Sequence, residues 1–364
     1  MSHNSNSLSQ LALQKFKKNF WGVFSFGIIV FIGIISVFAY VIAPDNSQNA
    51  NQMHLSIHSK KPGFKVLMLT IPSKFENQQS LFSKLFYGIK NTETEIPIKS
   101  YETKDENLIY TEYASDGLEG LTKSLSLDVF PNQNYKEYIK ERTFLFGTDK
   151  YGRDYLSRIL IGSRISFFIG FVAVFISLII GIVMGSLAGY FGGKTDAIIM
   201  WLINVTWSIP TLLLVIAITL VLGKGFWQVF IAVGLTMWVE VARVVRGQII
   251  SVKEMQYVTA ARALGFSDFR IISRHILPNI MAPVIVISAA NFAAAILIES
   301  GLSFLGIGAQ PPMASWGAMI KDHYNYIILG KPYLAMIPGL CIMILVMAFM
   351  LIGNALRDAL DVKS

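Results

Sequence analysis

The chain has 364 residues, of which 53% are hydrophobic and 15% are charged. This balance is too apolar for a soluble domain of that length, so it predicts a multi-span membrane protein. The net charge of +8 comes from outside residues 44–146, where the basic residues lie among apolar spans and short loops and indicate topology. No basic surface interleaved with aromatic residues is visible, which excludes nucleic-acid binding.

The first predicted span covers residues 20–42, and a polar tail of residues 1–19 precedes it. The span is long enough to cross roughly 30 Å of hydrocarbon as a helix. It is too long for the apolar part of a signal peptide and lacks a small-x-small cleavage site, so we predict an uncleaved anchor. Lys15, Lys17 and Lys18 stand before it and place the N-terminus in the cytoplasm.

Residues 43–146 then lie outside the membrane and have a mixed, mostly polar composition. Their pattern predicts a strand at 64–72, two strands within 96–114 around the polar turn 104–107, and a short helix at 80–87. About 100 residues are enough for a small α+β core. The alternative is an extended, partly ordered loop.

Five further spans are predicted in the rest of the chain, at residues 165–190, 197–222, 226–245, 280–298 and 333–352. The first of these carries Gly181, Gly185 and Gly189 on one face, which favours close helix packing. Pro210 predicts a kink in the next one. Cys341, the one cysteine, lies in the last span and is expected to act as a small apolar residue; it excludes an intrachain disulfide, and no metal cluster is visible.

Two features of this region invite other interpretations. The sequence Gly-Gly-Lys-Thr at 192–195 resembles the end of a phosphate-binding loop, but position 188 is Ala and a membrane helix precedes it, so we reject that interpretation. Glu240, Arg243 and Arg246 share one helical face near the predicted cytoplasmic end of the 226–245 span. An intramembrane charge is a candidate functional group, but here we expect Glu240 to offset one of the arginines.

The loop at residues 247–278 is strongly cationic and lies between two spans. It predicts two short helices, with Gly265 ending the first in the left-handed conformation and Ser267 capping the second. Pro278 is suited to the first turn of the following span. Helices this short are marginal alone, so the pair must dock on something. The alternative is an ordinary cytoplasmic loop made basic by topology.

The sequence of this loop resembles the EAA loop of ABC importer permeases, through Thr259-Ala260-Ala261, Gly265 and Leu277-Pro278. The longer string YVTAARALGFSDFRIISRHILPN resembles the dipeptide/oligopeptide (peptide/nickel) branch, C-type or second permease. The run FGTDKYGRD from residue 146 and the string ESGLSFLGIGAQPPMASWG from residue 299 are similar to the same branch. Thr259 replaces the expected Glu, His275 replaces an Ile, and residues 43–146 are longer than usual for the branch.

The resemblance implies an all-α polytopic membrane protein of the type I ABC importer fold, with six transmembrane helices and an extracytoplasmic α+β insertion between the first two. The permease core would span residues 147–356, followed by a cytoplasmic tail at 357–364. Both termini would be cytoplasmic, in a bacterial cytoplasmic (inner) membrane. The implied partners are a second homologous permease, two ATP-binding subunits that carry ATP and Mg²⁺, and an extracytoplasmic solute-binding protein. No cofactor is expected on this chain itself.

The resemblance also implies three sets of site residues. The first would dock the ATPase through the loop 255–278: Tyr257, Thr259, Ala260, Ala261, Arg262, Gly265, Arg270, Leu277 and Pro278. The second comprises the candidates for lining the pathway: Asn204, Trp207 and Asn291. The third comprises candidate gate or interface groups: Asp149, Arg153, Asp154 and Glu299. We expect Asp149, Arg153 and Asp154 to pair with one another, and Glu299 to be an interfacial charge rather than a gate. A catalytic carboxylate pair is disfavoured because no nucleophile or metal set accompanies it.

Two other classes of function are weighed against this hypothesis. An ion-coupled secondary transporter would need ionisable groups near the middle of its spans and usually an internal repeat, and neither is visible. A membrane-anchored receptor would leave five further spans and the cationic loop unexplained. The substrate stays open among dipeptides, longer peptides, nickel chelates and peptide-like antibiotics.

Overall fold

A computed structural model describes residues 8–73, 79–90, 93–115, 118–223 and 225–360. The chain forms two compact units. One contains residues 1–33, 166–310 and 340–364, and the other contains residues 34–165 and 311–339. The second unit therefore extends beyond the predicted insertion of residues 43–146 at both of its ends.

The described helices are mostly long and apolar. In chain order they are α1 (Leu8–Lys18), α2 (Phe20–Val37), α3 (Ala39–Ile42), α4 (Leu81–Tyr87), α5 (Tyr155–Phe191), α6 (Gly193–Ser208), α7 (Thr211–Leu222), α8 (Phe226–Val252), α9 (Gln256–Ala263), α10 (Asp268–Arg270), α11 (Met281–Leu305), α12 (Trp316–His323) and α13 (Tyr333–Leu360).

Five helical segments are long and apolar enough to cross a membrane, and a bent pair brings the number to six. They are α2, α5, α8, the run Asp268–Leu305 that ends in α11, and α13. The bent pair is α6 and α7, which meet at 94°. The prediction of six spans is confirmed when this pair is counted as one span, but Pro210 marks a break in the helix rather than a kink. A proline disfavours helical backbone at the residue before it, and Ile209 is extended.

Several helices run past the ends predicted for them. The helix α5 starts at Tyr155, although the predicted span starts at residue 165, and α8 and α13 continue to Val252 and Leu360. The predicted N-terminal tail also contains a helix, α1. The apolar pattern defines only the part of a helix that hydrocarbon surrounds. It therefore does not predict polar extensions of the same helix.

The glycine stripe of α5 lies directly against α8, as predicted. A Cβ atom added to Gly181 would come within 2.5 Å of the Val241 Cβ, and one added to Gly185 within 2.6 Å of the Ala242 carbonyl oxygen. At Gly189 the carbonyl oxygen of Arg246 would lie 2.9 Å away. These glycines let two membrane helices approach at backbone distance.

The insertion is a folded α+β structure in its described part, which confirms the prediction over the extended loop. Its five strands form one antiparallel sheet in the order β4-β3-β2-β1-β5. The strands are β1 (Phe64–Ile71), β2 (Thr94–Lys104), β3 (Asn107–Glu112), β4 (Thr122–Ser126) and β5 (Ile139–Phe144). The turn between β2 and β3 places Asp105 and Glu106 at positive φ, which suits a tight hairpin.

One face of the sheet carries a small core, listed here by its fully buried members: Leu69, Ile98, Leu108, Tyr110 and Phe130. The two strands missing from the sequence prediction, β4 and β5, are the edge strands. Their sequences TKSLS and IKERTF are short, and each contains charged residues, which is typical of edges that must not pair with other chains. The predicted helix at 80–87 is confirmed as α4, and the Ser80 hydroxyl accepts the Ser83 N–H at its start.

A partly buried carboxylate joins the sheet to the segment before it. Glu95 Oε2 lies 2.9 Å from Arg142 Nη1 and 3.7 Å from His54 Nε2. Burial opposes ionisation of Glu95, but the nearby side chains of His54 and Arg142 outweigh it and hold the pKa of Glu95 below its usual value. The folded state therefore favours the ionised carboxylate.

The glycine contacts predict opposite effects of one substitution at two sites. In a helix, Gly→Ala ordinarily stabilises by about 0.5–1 kcal/mol. We expect Gly27→Ala in α2, where the added Cβ meets nothing within 4 Å, to raise the unfolding temperature of the purified chain. Gly185→Ala should lower it, because the Cβ would collide with α8. Thermal unfolding of both variants in detergent measures this, and a gain at Gly185 would contradict the packing.

Acidification is expected to loosen the sheet through Glu95. A carboxyl group with a lowered folded pKa contributes stability above its unfolded pKa of about 4.3 and loses it as the pH falls through the folded value. Amide exchange of β1 and β2, corrected for the intrinsic pH dependence, should show less protection at low pH. Glu95→Gln should lose protection at neutral pH and lose that acid dependence. The exposed pair Lys65–Glu141, at 3.8 Å, supplies Glu141→Gln as a control without effect.

Candidate functional site

The helix α9 ends in the turn expected from the sequence. Gly265 has φ of 76°, and its N–H bonds to the Arg262 carbonyl at 3.0 Å. The N–H of Phe266 bonds to the Ala261 carbonyl at 3.2 Å. These two bonds form a Schellman motif, in which glycine at C′ takes the left-handed conformation without steric cost.

The second helix is not a separate short helix, contrary to the prediction. It starts as α10 after Ser267, whose side chain makes no capping hydrogen bond, and continues through a π-helical turn at Ile271–Ile276 and a 3₁₀ turn at Leu277–Ile280 into α11. Pro278 explains the irregular turns, because it lacks an N–H and its ring crowds the preceding turn. The Asn279 side chain donates to the His275 carbonyl at 2.6 Å and satisfies a group freed there.

We call residues 255–280 the hairpin. Its inner face is buried in an apolar cluster with α5 and α8. The buried members of this cluster are Tyr190, Val241, Val245, Ile249, Val258, Ala261, Ile271, Ile276, Ile280 and Val284. Tyr190, near the end of α5, also donates its hydroxyl to Asp268 Oδ1 at 2.6 Å. The hairpin is thus fixed to two membrane helices by apolar packing and a hydrogen bond.

Its outer face exposes large apolar side chains. Leu264 is 73% exposed, Phe269 is 80% exposed, and Tyr257 is 42% exposed. Ala260 is exposed beside them, whereas Ala261 is 4% exposed and belongs to the inner cluster. Ala261, which the sequence placed in the docking set, therefore lies on the inner face, and its role in docking stays a prediction. Leu264 and Phe269 are exposed on this face but were not in the predicted docking set; Leu264 directly precedes Gly265, and Phe269 follows it by four residues.

The other predicted docking residues divide as follows: Thr259, Arg262, Gly265, Arg270 and Pro278 are exposed, and Leu277 is half-buried. The Arg270 guanidinium stacks over Phe266 at 4.2 Å from the ring centre, and Arg262 lies 5.7 Å from the Tyr190 ring centre. Both arginines are therefore held beside the apolar outer face instead of extending freely.

Two of the three candidate pathway residues come together at the end of α6. The Arg243 guanidinium stacks on the Trp207 ring at 3.7 Å and donates to Asn204 Oδ1 at 3.2 Å. Asn291 is 1% exposed within α11 and is not part of this group.

The expected pairing of Glu240 with an arginine is not observed. Arg246 pairs with Asp196 of α6, with N–O distances of 2.5 and 2.6 Å, and Arg243 is engaged by Trp207 and Asn204. In the described part of the chain Glu240 forms no ion pair within 4.0 Å. The prediction failed because the sequence does not show that α6 packs beside α8 and offers Asp196.

The run that starts at Gly147 forms a buried charged network in the second unit. Asp149 is fully buried; its Oδ2 lies 2.6 Å from Arg153 Nε and 3.7 Å from Arg158 Nε, and its Oδ1 accepts the N–H groups of Tyr151 and Arg153. The predicted pairing is therefore confirmed for Asp149 with Arg153. Asp154 instead accepts the Ser157 N–H and hydroxyl at 2.7 and 2.6 Å, and burial raises its pKa despite these bonds.

This network reaches the segment around α12 in the same unit. Lys150 Nζ lies 2.9 Å from Asp322 Oδ1, and the Lys150 N–H lies 3.3 Å from His323 Nε2. His323 Nδ1 lies 2.8 Å from the Met319 carbonyl, so the ring donates from Nδ1 and accepts at Nε2. Burial lowers the pKa of His323 and favours this neutral form. The geometry of the network is that of a structural connection.

Glu299 is 1% exposed near the end of α11. Its Oε1 accepts the Ser303 hydroxyl at 2.7 Å, and the same hydroxyl oxygen accepts the Ala309 N–H at 3.1 Å. The carboxylate thereby holds the turn that follows the helix. The role of Glu299 as a gate or interface group stays a prediction.

Comparison with known proteins agrees with the geometry. Residues 181–363 match the family described as binding-protein-dependent transport system inner membrane component. Residues 7–62 match the N-terminal TM domain of oligopeptide transport permease C.

Three similar proteins each match 60% of the chain. The dipeptide transport system permease protein DppC of Bacillus subtilis (strain 168) is 43% identical over 218 residues, which are 60% of this chain and 68% of that protein. The oligopeptide transport system permease protein OppC of Escherichia coli (strain K12) is 43% identical over 60% of this chain and 72% of its own. The glutathione transport system permease protein GsiD of Pectobacterium atrosepticum is 41% identical over the same shares.

Among solved structures, inward-facing conformations of the MetNI methionine ABC transporter match 56% of this chain and 96% of the other chain. The TM-score is 0.46 and the sequence identity is 18%.

Removing the charge of Asp149 should destabilise the second unit. Asp149→Asn leaves Arg153 and Arg158 buried without a counter-charge, and breaking a buried pair costs about 3–5 kcal/mol. We expect a clearly lower unfolding temperature in detergent. Asp128→Asn, at an exposed carboxylate, is the control and should leave it unchanged. Equal unfolding temperatures for the two variants would contradict the structural role of the network.

Proposed function

The chain belongs to the family of inner membrane components of binding-protein-dependent transport systems, and from this premise we propose that it forms half of the pathway of an ABC importer for peptides or peptide-like solutes. The relatives named above carry dipeptide, oligopeptide and glutathione transport in their names, and all three substrates are peptides. No relative named above is an ion-coupled secondary transporter, so that alternative has no such support.

The coupling proposal rests on one observation, the two-faced hairpin. Its outer face presents Leu264 and Phe269 beside the small residue Ala260, an arrangement that suits insertion of apolar side chains into a groove. Exposed apolar patches framed by polar groups mark protein–protein contacts. We assign this face to a separate ATPase subunit, which binds ATP and Mg²⁺, while this chain binds neither.

The inner face explains how movement reaches the membrane. Val258 and Ile271 are fully buried against α5 and α8, and Tyr190 ties α5 to Asp268. When the ATPase subunits close on ATP, their displacement of the hairpin is passed to these helices without a flexible joint. Only partners that bind two conformations with different affinity shift the balance between them. ATP on one side and the loaded binding protein on the other fulfil that role.

The orientation follows from the positions of charge. Lys15, Lys17 and Lys18 before α2, and the arginines of the hairpin, support a cytoplasmic position for these segments and for both termini. The chain then lies in the inner membrane of a bacterium, and its five-stranded insertion is on the extracytoplasmic side. There it is positioned to contact the solute-binding protein or the second permease.

Two exposed residues test the docking surface. Leu264→Ser and Phe269→Ser should each weaken co-purification of the ATPase subunit about tenfold, since apolar anchors at interface centres typically contribute this much. ATP-dependent peptide uptake in proteoliposomes should fall with it. Because both side chains are mostly exposed, the unfolding temperature of the chain should not change.

The matched control is Leu118→Ser, which removes a leucine that is 72% exposed on the insertion. It should leave the amount of bound ATPase unchanged. Unaltered ATPase binding in both hairpin variants would exclude this surface as the docking site. Peptide uptake that needs no ATPase subunit would exclude the proposed function itself.

A further inference from the structure

A cavity of about 180 Å³ lies beside the break between α6 and α7, within the first unit. Its lining comes from these two helices together with α8 and α11. The polar residues that line it are Thr206, Trp207, Thr211, Thr236 and Glu240. Among the residues that line it, Glu240 alone is charged, and the Arg243 guanidinium stacks on the lining residue Trp207. The cavity therefore combines a single carboxylate with hydroxyl groups and apolar side chains, and three of its lining residues, Trp207, Thr211 and Glu240, are exposed.

Glu240 lies near the middle of α8. At a rise of 1.5 Å per residue it is roughly 18–21 Å from either end of the helix. The two arginines on its own helix face are engaged elsewhere, Arg246 by Asp196 and Arg243 by Asn204 and the Trp207 ring. Glu240 lies five residues before the end of the predicted 226–245 span, and an ionisable residue within a membrane span is a candidate functional group.

Two of the hydroxyl groups in the cavity have their protons engaged and are free to accept. Thr206 donates its proton to the Leu202 carbonyl at 2.9 Å, and Thr236 donates to the Val233 carbonyl at 2.8 Å. Their oxygens keep free lone pairs. Together with the Glu240 carboxylate they form a set of acceptors, and a set of acceptors with one negative charge matches a cation that carries several N–H donors.

We propose that this cavity receives a primary ammonium group of the transported peptide, its amino terminus or a lysine side chain, with Glu240 as the specificity-determining carboxylate. The proposal rests on the proposed peptide transport. The volume is enough for an ammonium group and one small residue. The site would therefore bind one end of the solute, and the remainder of the solute would lie in the wider pathway. The ammonium group would donate its N–H groups to the Glu240 carboxylate and to the hydroxyl oxygens of Thr206 and Thr236.

The single cysteine of the chain makes the cavity accessible to a direct test. With Cys341→Ser as background, Thr211→Cys places a thiol in the cavity wall, in the complete transporter with cysteine-free partner subunits. We expect the cationic reagent 2-aminoethyl methanethiosulfonate to modify it about tenfold faster than the anionic 2-sulfonatoethyl reagent, after correction for their rates with free thiol. Glu240→Gln should reduce that ratio to near one, and Glu240→Asp should retain it. Val221→Cys, 87% exposed at the end of α7, is the control without charge preference.

A pool of short peptides should protect the Thr211→Cys thiol, and the same pool with acetylated amino groups should not. Equal rates for the two reagents with Glu240 in place, or equal protection by both pools, would overturn the inference even if no Glu240 variant folds. ATP-dependent uptake of the free pool, measured in parallel, distinguishes failure of this inference from failure of the proposed function. Uptake that persists without charge preference at the cavity removes the inference alone, whereas uptake independent of the ATPase removes the proposed function with it.

Discussion

The apolar packing between the hairpin and α8 is the contact on which the proposed coupling depends. The helix α9 has eight residues, too few to be stable alone in water. Val258 and Ile271 are fully buried and Ala261 nearly so against α8, and burying a Val or Ile side chain contributes about 1.5–3 kcal/mol. The hairpin is therefore an extension of the membrane bundle, and a partner that moves it must move α8 as well.

The same short helix shows where sequence reasoning reaches its limit. Its spacing predicts the helix, and Gly265 predicts its end, because both depend on local backbone preferences. Which face is buried depends on a contact with α8, and both faces of α9 carry apolar residues. Ala261 and Ala260 are therefore equivalent in the sequence, but the structure buries one and exposes the other.

The membrane spans and the strands were also predicted only in part. Hydropathy locates each membrane helix, since hydrocarbon imposes one length and one composition on all of them. It misses the helix ends, as at Tyr155, where the chain stays helical beyond the apolar window. In the insertion the central strand β1 is visible from its apolar residues. The edge strand β5 is not, because its middle is the charged run Lys-Glu-Arg, which interrupts the apolar alternation of a strand.

The break in the third span and the acceptor cavity have one physical origin. Irregular backbone within a membrane is tolerated only where protein covers it or where it lines a cavity. At the end of α6 the hydroxyls of Thr206 and Ser208 bond back to carbonyls of their own helix, and Pro210 ends the ladder of backbone bonds. Of these two hydroxyls, that of Thr206 borders the cavity. A straight span would separate Thr206 from Thr211 along one helix axis, whereas the 94° bend brings both into the same lining as Glu240.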